Sequence, residues 1–196
     1  MTNDGTDSSS NDYDYLFKIV LIGDPGVGKS NILSRIHRND FNVNYQETDI
    51  VEFAQKIFEV QPDGKRVKAQ IWDRGGSKKY QSAGFQYYRG AVGVIVVYSI
   101  TDRASFENAT TYWLEELSQF KKSQDDVYRL LVGNKIDLND KRSVSIDEAR
   151  QFAENNGLSF IETSALNLNN IDNLFQDVVN GIYNNAKVVK RHHSTY

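Results

Sequence analysis

The chain begins with a polar stretch and then alternates apolar runs with segments of helical spacing. The near-continuous apolar run from Leu16 to Ile22 predicts a strand that is buried on both faces of a sheet. Apolar residues at helical spacing follow and predict a first helix from about Gly28 to Arg38. Strands and helices continue to alternate, which predicts an α/β fold with a mostly parallel sheet. The further strands are predicted at Ala91 to Ile100, Tyr128 to Gly133 and Leu158 to Ile161, and the further helices at Ala104 to Phe120, Ile146 to Asn156 and Ile171 to Ala186.

Two polar stretches without a period interrupt this alternation. Residues Asn39 to Asp49 and Asp73 to Gln86 are predicted to form long, irregular loops with a functional role. Between them, the segments Ile50 to Val60 and Arg66 to Trp72 flank the turn-forming residues Gln61 to Gly64. We therefore expect a hairpin, whose two strands are antiparallel.

Length and composition indicate one domain. The chain has 196 residues, of which 39% are hydrophobic, and this suffices for a sizeable core. We expect a disordered acidic segment at 1–14, a folded domain at 15–186 and a weakly basic tail at 187–196. No apolar run approaches the ~18 residues of a membrane span, and the absence of cysteine excludes disulfides and cysteine-linked lipid in the chain as given. We expect a cytoplasmic, monomeric protein without a nucleic-acid partner.

The first strand runs into a glycine-rich loop that is typical of phosphate binding. The loop fits the pattern G-x-x-x-x-G-K-[ST], and it lies after a predicted strand and before a predicted helix. In such a loop backbone N–H groups surround phosphate oxygens, Lys29 can reach the outer phosphates and the Ser30 hydroxyl can ligate Mg²⁺. The alternative is an ordinary glycine-rich turn that matches the pattern by chance. That would require the eight-residue pattern and both flanking elements to coincide. The loop consists of Gly23, Asp24, Pro25, Gly26, Val27, Gly28, Lys29 and Ser30.

A second motif indicates which base the nucleotide carries. The tetrapeptide from Asn134 to Asp137 follows a predicted strand, where open α/β sheets bind ligands. A carboxylate there can accept the N1 and N2 donors of guanine, whereas adenine offers no donor at N1. Alone the tetrapeptide would fit a solvated loop equally well. Together with the phosphate loop and the segment Glu162 to Leu166 at the end of the next strand, it predicts guanine.

From these motifs the chain resembles the Ras superfamily of small GTPases, and within it the Rab family, most of all the Rabs of recycling endosomes. The resemblance covers about Tyr13 to Ala186 and is carried by YLFKIVLIGD, SRIHRNDFN, KAQIWD, YYRGAVG, VGNKIDL and DEARQFAENNGLSFIETSAL. It implies a P-loop small-GTPase fold, with six strands of which one is antiparallel and with helices on both faces. It also implies a GTP/GDP switch in vesicle-mediated membrane trafficking, with Mg²⁺ as cofactor. Its partners would be effector, exchange-factor and activating proteins.

The resemblance implies roles for individual residues. Mg²⁺ would be held by Ser30, Thr48 and, through a water, Asp73, while Thr48 and Gly76 would contact the γ-phosphate. The loops around Thr48 and after Asp73 are the family's two switches. Catalytic positions would be Lys29, Thr48, Gly76 and Ser77. Besides the phosphate loop, the nucleotide would contact Asn31, Phe41, Thr48, Gly76, Asn134, Lys135, Asp137, Ser164, Ala165 and Leu166. Effectors would read the aromatic residues Phe53, Trp72 and Tyr87, for which ordinary core packing is the alternative.

The sequence departs from the family where catalysis takes place. The second switch normally begins D-T-A-G-Q-E, and here it reads DRGGSK, so Ser77 replaces the catalytic glutamine. A serine is too short to bridge the attacking water and the γ-phosphate, and we expect slow intrinsic hydrolysis. Pro25 removes one N–H donor from the phosphate loop. After Thr48, Asp49 and Ile50 stand where the family has Ile-Gly, so effector choice should differ.

Arg74 is a further departure, and three interpretations are open at the level of sequence. It can lie on the solvated surface, it can form a salt bridge to Asp49 or Glu47, or it can act as an internal arginine finger.

The C-terminus lacks the prenylated cysteines with which Rabs generally end. Membrane association, at an endosomal or vesicle surface, would then require native cysteines that are absent from this chain, because a few basic residues attract a membrane only weakly. Ser77, Arg74 and Asp49 favour an alternative function, a hydrolysis-deficient pseudo-GTPase that acts as a guanine-nucleotide-binding scaffold. A P-loop ATPase or small-molecule kinase is a third hypothesis. The tetrapeptide Asn134 to Asp137 argues against it, because it predicts guanine.

Overall fold

The computed structural model describes residues 12–44, 51–75, 84–120 and 127–193. The described strands are β1 (Tyr15–Ile22), β2 (Glu52–Val60), β3 (Lys65–Asp73), β4 (Ala91–Ser99), β5 (Tyr128–Asn134) and β6 (Ser159–Glu162). The described helices are α1 (Lys29–Arg38), α2 (Gly84–Tyr88), α3 (Arg103–Asn108), α4 (Leu114–Phe120), α5 (Ile146–Asn155) and α6 (Ile171–His193). A π-helical turn, Ala109–Trp113, joins α3 to α4, and a 3₁₀ segment, Ile136–Lys141, follows β5.

The strands form one six-stranded sheet in the order β2-β3-β1-β4-β5-β6. Strand β2 is antiparallel to β3, and the other neighbouring pairs are parallel. The predicted hairpin and the predicted mostly parallel sheet are therefore confirmed. Strand β1 lies in the middle of the sheet, as its continuous apolar run predicts.

Each face of the sheet carries its own apolar core, because successive side chains of a strand point to opposite faces. Ile19 and Leu21 pack on one side with residues of α1 and α6. Val20 and Ile22 pack on the other side with residues of α3 and α5 and with Trp113. The two helical layers bury both faces and leave the carboxyl ends of the parallel strands to carry the loops.

The structure differs from the predicted elements in four places. The π-helical turn divides the helix predicted at Ala104 to Phe120 into α3 and α4. Helix α2 begins inside the stretch Asp73 to Gln86, which is predicted to be irregular, and runs two residues past it. The 3₁₀ segment follows β5 where a loop is predicted. Both are single short elements whose apolar periodicity is too brief to be detected, and α2 is held by the buried side chain of Tyr88. Helix α6 continues to His193 instead of ending at Ala186, since neither glycine nor proline interrupts that stretch. No helix in the described part of the chain combines the length and apolarity that a membrane crossing needs.

Candidate nucleotide site

The loop between β1 and α1 has a backbone that two of its glycines make possible. Gly23 has a φ of 139°, and a Cβ there would lie 2.1 Å from the carbonyl oxygen of Val97 on β4. Gly28 has a φ of 100°, and a Cβ there would lie 2.3 Å from Nδ2 of Asn134. Any other residue at either position would be strained and would collide with a neighbour. The spacing of the motif therefore reflects how closely this loop approaches β4 and the end of β5.

The loop surrounds the ammonium group of Lys29, whose exposed fraction is only 4%. Lys29 Nζ donates to the carbonyl oxygens of Gly23 and Asp24, each at 2.9 Å. Pro25 is exposed at the outside of the loop. The lysine is thus already positioned at the mouth of the predicted phosphate site.

Two oxygen-bearing side chains meet at the end of β3. Ser30 Oγ donates to Asp73 Oδ2 at 2.5 Å, and Gly75 N donates to Asp73 Oδ1 at 3.0 Å. Mg²⁺ prefers hard oxygen ligands and usually needs only one or two side chains besides phosphate oxygens and water. The donor set therefore fits the predicted cation. The third predicted ligand, Thr48, lies outside the described residues.

The chain after β5 is bonded directly to the phosphate loop. Asn134 Nδ2 donates to the carbonyl oxygen of Val27 at 2.9 Å, and its Oδ1 accepts from the backbone N–H of Ala165 at 3.3 Å. Lys135 Nζ donates to the carbonyl oxygen of Gly26 at 2.6 Å. Burial lowers the pKa of the Lys135 ammonium. These two residues join three loops into one unit.

Asp137 is oriented by a hydroxyl. Ser164 Oγ donates to Asp137 Oδ1 at 2.5 Å and accepts from the backbone N–H of Asn167 at 3.0 Å. Ser164 is fully buried, whereas Leu166 on the same loop is 45% exposed. The serine therefore holds the carboxylate that was predicted to read the base, and the exposed leucine borders the site.

Arg35 of α1, which sequence reasoning missed, supports the base-binding loop. Its Nε donates to the carbonyl oxygen of Ala165 at 2.7 Å and its Nη2 to that of Leu166 at 2.8 Å. Its guanidinium carbon lies 5.4 Å from the ring centroid of Phe41, the aromatic residue predicted to pack against the base. The arginine thus links two parts of the predicted base site. The two carbonyl groups lie 130 and 131 positions away along the chain, so no local pattern could have indicated these bonds.

The segment after α1 is attached to that helix by a reciprocal pair of bonds. Asn31 Nδ2 donates to the carbonyl oxygen of Asn42 at 3.1 Å, and Asn42 N donates to Asn31 Oδ1 at 2.9 Å. Asn31, predicted to touch the nucleotide, therefore also anchors the start of the first polar loop.

The predicted effector aromatics are partly assembled. Phe53 and Trp72 face each other across β2 and β3 with ring centroids 4.7 Å apart, and Phe53 is 42% exposed. Lys18 Nζ lies 5.2 Å from the Trp72 ring centroid. Tyr87, on α2, instead stacks with Arg74, whose guanidinium carbon lies 5.7 Å from its ring centroid.

Arg74 does not lie on the solvated surface, so that interpretation is wrong. Its exposed fraction is 2%, because its side chain packs among α2, the π-helical turn and α4. Its Nη1 forms an ion pair with Glu116 Oε1 and donates to the Tyr88 hydroxyl at 3.3 Å. Glu116 was not a predicted partner, and the two predicted partners, Asp49 and Glu47, lie outside the described residues.

The side chain of Asp24 contacts the opposite helical layer, which its variable position in the loop motif did not indicate. Trp113 Nε1 donates to Asp24 Oδ1 at 2.8 Å, and Asn108 Nδ2 donates to Asp24 Oδ2 at 2.7 Å. The phosphate loop is therefore tied to α3 and to the π-helical turn. The predicted catalytic positions Thr48, Gly76 and Ser77 lie outside the described residues.

The comparison with known protein families agrees with this arrangement. Residues 18–184 match the model of the Ras family, and this match covers most of the chain. The matched range includes the phosphate loop, Asp73 and the loops after β5 and β6. The chain therefore belongs to the Ras family and is a small GTPase of the Ras superfamily.

Proposed function

We propose that this chain is a Rab-like, GTP/GDP-regulated switch of vesicle traffic with slow intrinsic GTP hydrolysis. The observation that carries the proposal is the bonding of the base-binding residues to the phosphate loop. Asn134 and Lys135 donate to two successive carbonyl oxygens of that loop, while Ser164 orients Asp137. A ligand with a guanine at one end and phosphates at the other would bridge elements that already form one unit.

The roles of the side chains follow from their positions. Lys29 would neutralise charge on the outer phosphates, and Ser30, with Asp73 acting through a water, would hold Mg²⁺. When bound, Mg²⁺ supplies charge neutralisation to the β- and γ-phosphate oxygens. Ser77 stands where the family has the glutamine that orients the attacking water, and its short side chain is the reason to expect slow turnover.

The trafficking role is supported by the aromatic surface. Phe53 is exposed and stacks on Trp72, so an apolar patch is available to a partner at the edge of the sheet. Tyr87 stacks with Arg74 directly after the predicted cation site, and movement of that segment would alter the patch. Effectors would thus distinguish the two nucleotide states.

Single-turnover phosphate release from protein loaded with GTP and Mg²⁺ tests the proposal. Wild type should be slow, and the Ser77→Gln variant should be faster, because it restores a side chain long enough to orient water. Competition of fluorescent GDP with GTP and ATP checks the ligand. Displacement by ATP as effective as by GTP would contradict guanine recognition by Asp137.

The second candidate is a scaffold that binds guanine nucleotide with little turnover. The burial of Arg74 at the start of the second switch favours it, since a fixed segment would not respond to the γ-phosphate. The same assay separates the two. A silent wild type that Ser77→Gln does not activate supports the scaffold, and measurable wild-type turnover supports the switch.

A further inference from the structure

A buried ion pair lies one residue beyond the predicted cation ligand Asp73. Arg74 and Glu116 are both nearly inaccessible, with exposed fractions of 2% and 7%. Burying two charges is costly unless each is paired and hydrogen-bonded. Their presence so close to the phosphate site therefore calls for a compensating set of contacts.

That set is found around the carboxylate. Tyr88 donates its hydroxyl to Glu116 Oε1 at 2.9 Å, and Tyr112 donates to Oε2 at 3.0 Å. Burial, together with the charge of Glu116, raises the pKa of Tyr88, so the phenol keeps its proton. With Arg74 on Oε1, each carboxylate oxygen has at least one donor. Glu116 is thereby fixed on α4, and it fixes Arg74 in turn.

The guanidinium also contacts the π-helical turn that reaches the phosphate loop. Its central carbon lies 5.4 Å from the Trp113 ring centroid, and Trp113 Nε1 donates to Asp24 Oδ1 at 2.8 Å. One cation thus connects the start of the second switch, the helix and the phosphate loop. An arginine finger has to reach the transferred phosphate, whereas the described contacts of this guanidinium are to helical side chains.

Resting on the proposed function, we infer that Arg74 is a positioning residue: its pairing with Glu116 holds Asp73 in the arrangement that binds Mg²⁺ beside the nucleotide. Asp73 ends β3 with both carboxylate oxygens occupied, by Ser30 and by the backbone N–H of Gly75. Gly75, with a φ of 71°, turns the chain immediately after the anchored arginine. Because Arg74 lies between these two residues, its anchorage limits the movement of both.

The test separates positioning from simple stability. The variants are Arg74→Met, Glu116→Leu and the double variant, which replaces the ion pair by apolar side chains of similar size. Each single change leaves a buried charge unpaired and should lower the urea midpoint, while the double variant should recover most of the loss. The decisive readout is the Mg²⁺ concentration at which fluorescent GDP is retained. The double variant should need about tenfold more Mg²⁺, because removing a group that orients a metal ligand typically lowers metal affinity by about that factor.

The matched control is Arg103→Met with Glu148→Leu, which removes an exposed ion pair between α3 and α5. It should retain GDP at the wild-type Mg²⁺ concentration. A double variant at positions 74 and 116 with restored stability and a wild-type Mg²⁺ requirement would overturn the inference.

A nucleotide-free measurement keeps this inference distinct from the proposed function. The chain has two tryptophans, so Trp72→Phe leaves Trp113 as the only one. Arg74→Met in that background should shift the Trp113 emission of the unliganded protein. A wild type that shows this shift but does not bind guanine nucleotide would refute the proposed function and leave the anchorage of Arg74 standing. Unchanged Trp113 emission would show that Arg74 is not anchored among these helical side chains and would overturn the positioning role.

Discussion

Ser164 shows how a single hydroxyl can orient a carboxylate that is predicted to bind the base. It is fully buried, and its hydrogen bond to Asp137 favours one orientation of that carboxylate. Arg35 acts similarly on the neighbouring backbone, through the carbonyl oxygens of Ala165 and Leu166. At the scale of residues, Ser164, itself a predicted base contact, and Arg35, which is not one, both hold other groups of the predicted base site in place.

Replacing Ser164 by alanine should weaken GDP binding by about 0.5–1.5 kcal/mol, because the hydrogen bond that orients the Asp137 carboxylate is lost. Discrimination between GDP and inosine diphosphate should fall as well, because inosine lacks the N2 donor that a fixed Asp137 accepts. Dissociation rates of the two nucleotides measure both effects. Ser159→Ala is the control. The Ser159 hydroxyl, on β6, accepts a hydrogen bond from Tyr128 on β5 and not from the loop that contains Ser164. Unchanged discrimination would show that Asp137 does not need Ser164.

At the scale of elements, helix α6 packs unusually closely on the sheet. A Cβ at Gly181 would lie 2.1 Å from Cε2 of Tyr128 on β5, and one at Gly93 would lie 2.7 Å from Cδ1 of Ile182. The two glycines thus allow helix and strands to approach, and the Tyr128 ring is held in place by its hydroxyl on Ser159. This contact sets the spacing between α6 and β5.

Gly181→Ala should lower the free energy of unfolding by about 1–2 kcal/mol. Overpacking against the Tyr128 ring costs up to ~3 kcal/mol, and the better helix propensity of alanine returns only ~1 kcal/mol. Urea unfolding measures the change. Asn184→Ala, at an exposed position of the same helix, is the control and should match wild type within about 0.5 kcal/mol. If Gly181→Ala instead raises the free energy of unfolding, the Tyr128 ring can move aside at little cost.

At the scale of the whole molecule, the site draws on β1, β3, β5 and β6 and on three connecting loops. A ligand that binds all of them stabilises the folded chain as a unit, because it binds the native state and not the unfolded one. If Asp137 recognises guanine as proposed, the stabilisation should also depend on the base of the nucleotide.

Saturating GDP with Mg²⁺ should therefore raise the melting temperature. At a hundred times the dissociation constant the gain is about 2.7 kcal/mol, which corresponds to roughly 5–10 °C for a chain of this size. ADP at the same concentration should shift the transition far less. Differential scanning fluorimetry measures the melting temperature. Equal increases with GDP and ADP would contradict guanine selectivity.

The local features of this protein could be predicted from its sequence. The strands, the hairpin and the phosphate loop depend on side-chain periodicity and on glycine spacing within a few residues, and these patterns are visible along the chain. The match of residues 18–184 to the Ras family agrees with them. The short helix α2 and the 3₁₀ segment were missed because such brief elements are stabilised by tertiary packing.

The sequence by itself determined where the strands and the longer helices form and which nucleotide chemistry the loops favour, because both follow from local patterns. Only the tertiary structure decided where Arg74 points. Its partner Glu116 is 42 positions away, and Trp113, which stacks on it, bonds to Asp24 at a separation of 89. Whether such a charge is solvated or buried depends on the side chains that the fold brings around it, since desolvation is tolerated only when a counter-charge and hydrogen-bond donors are already in place.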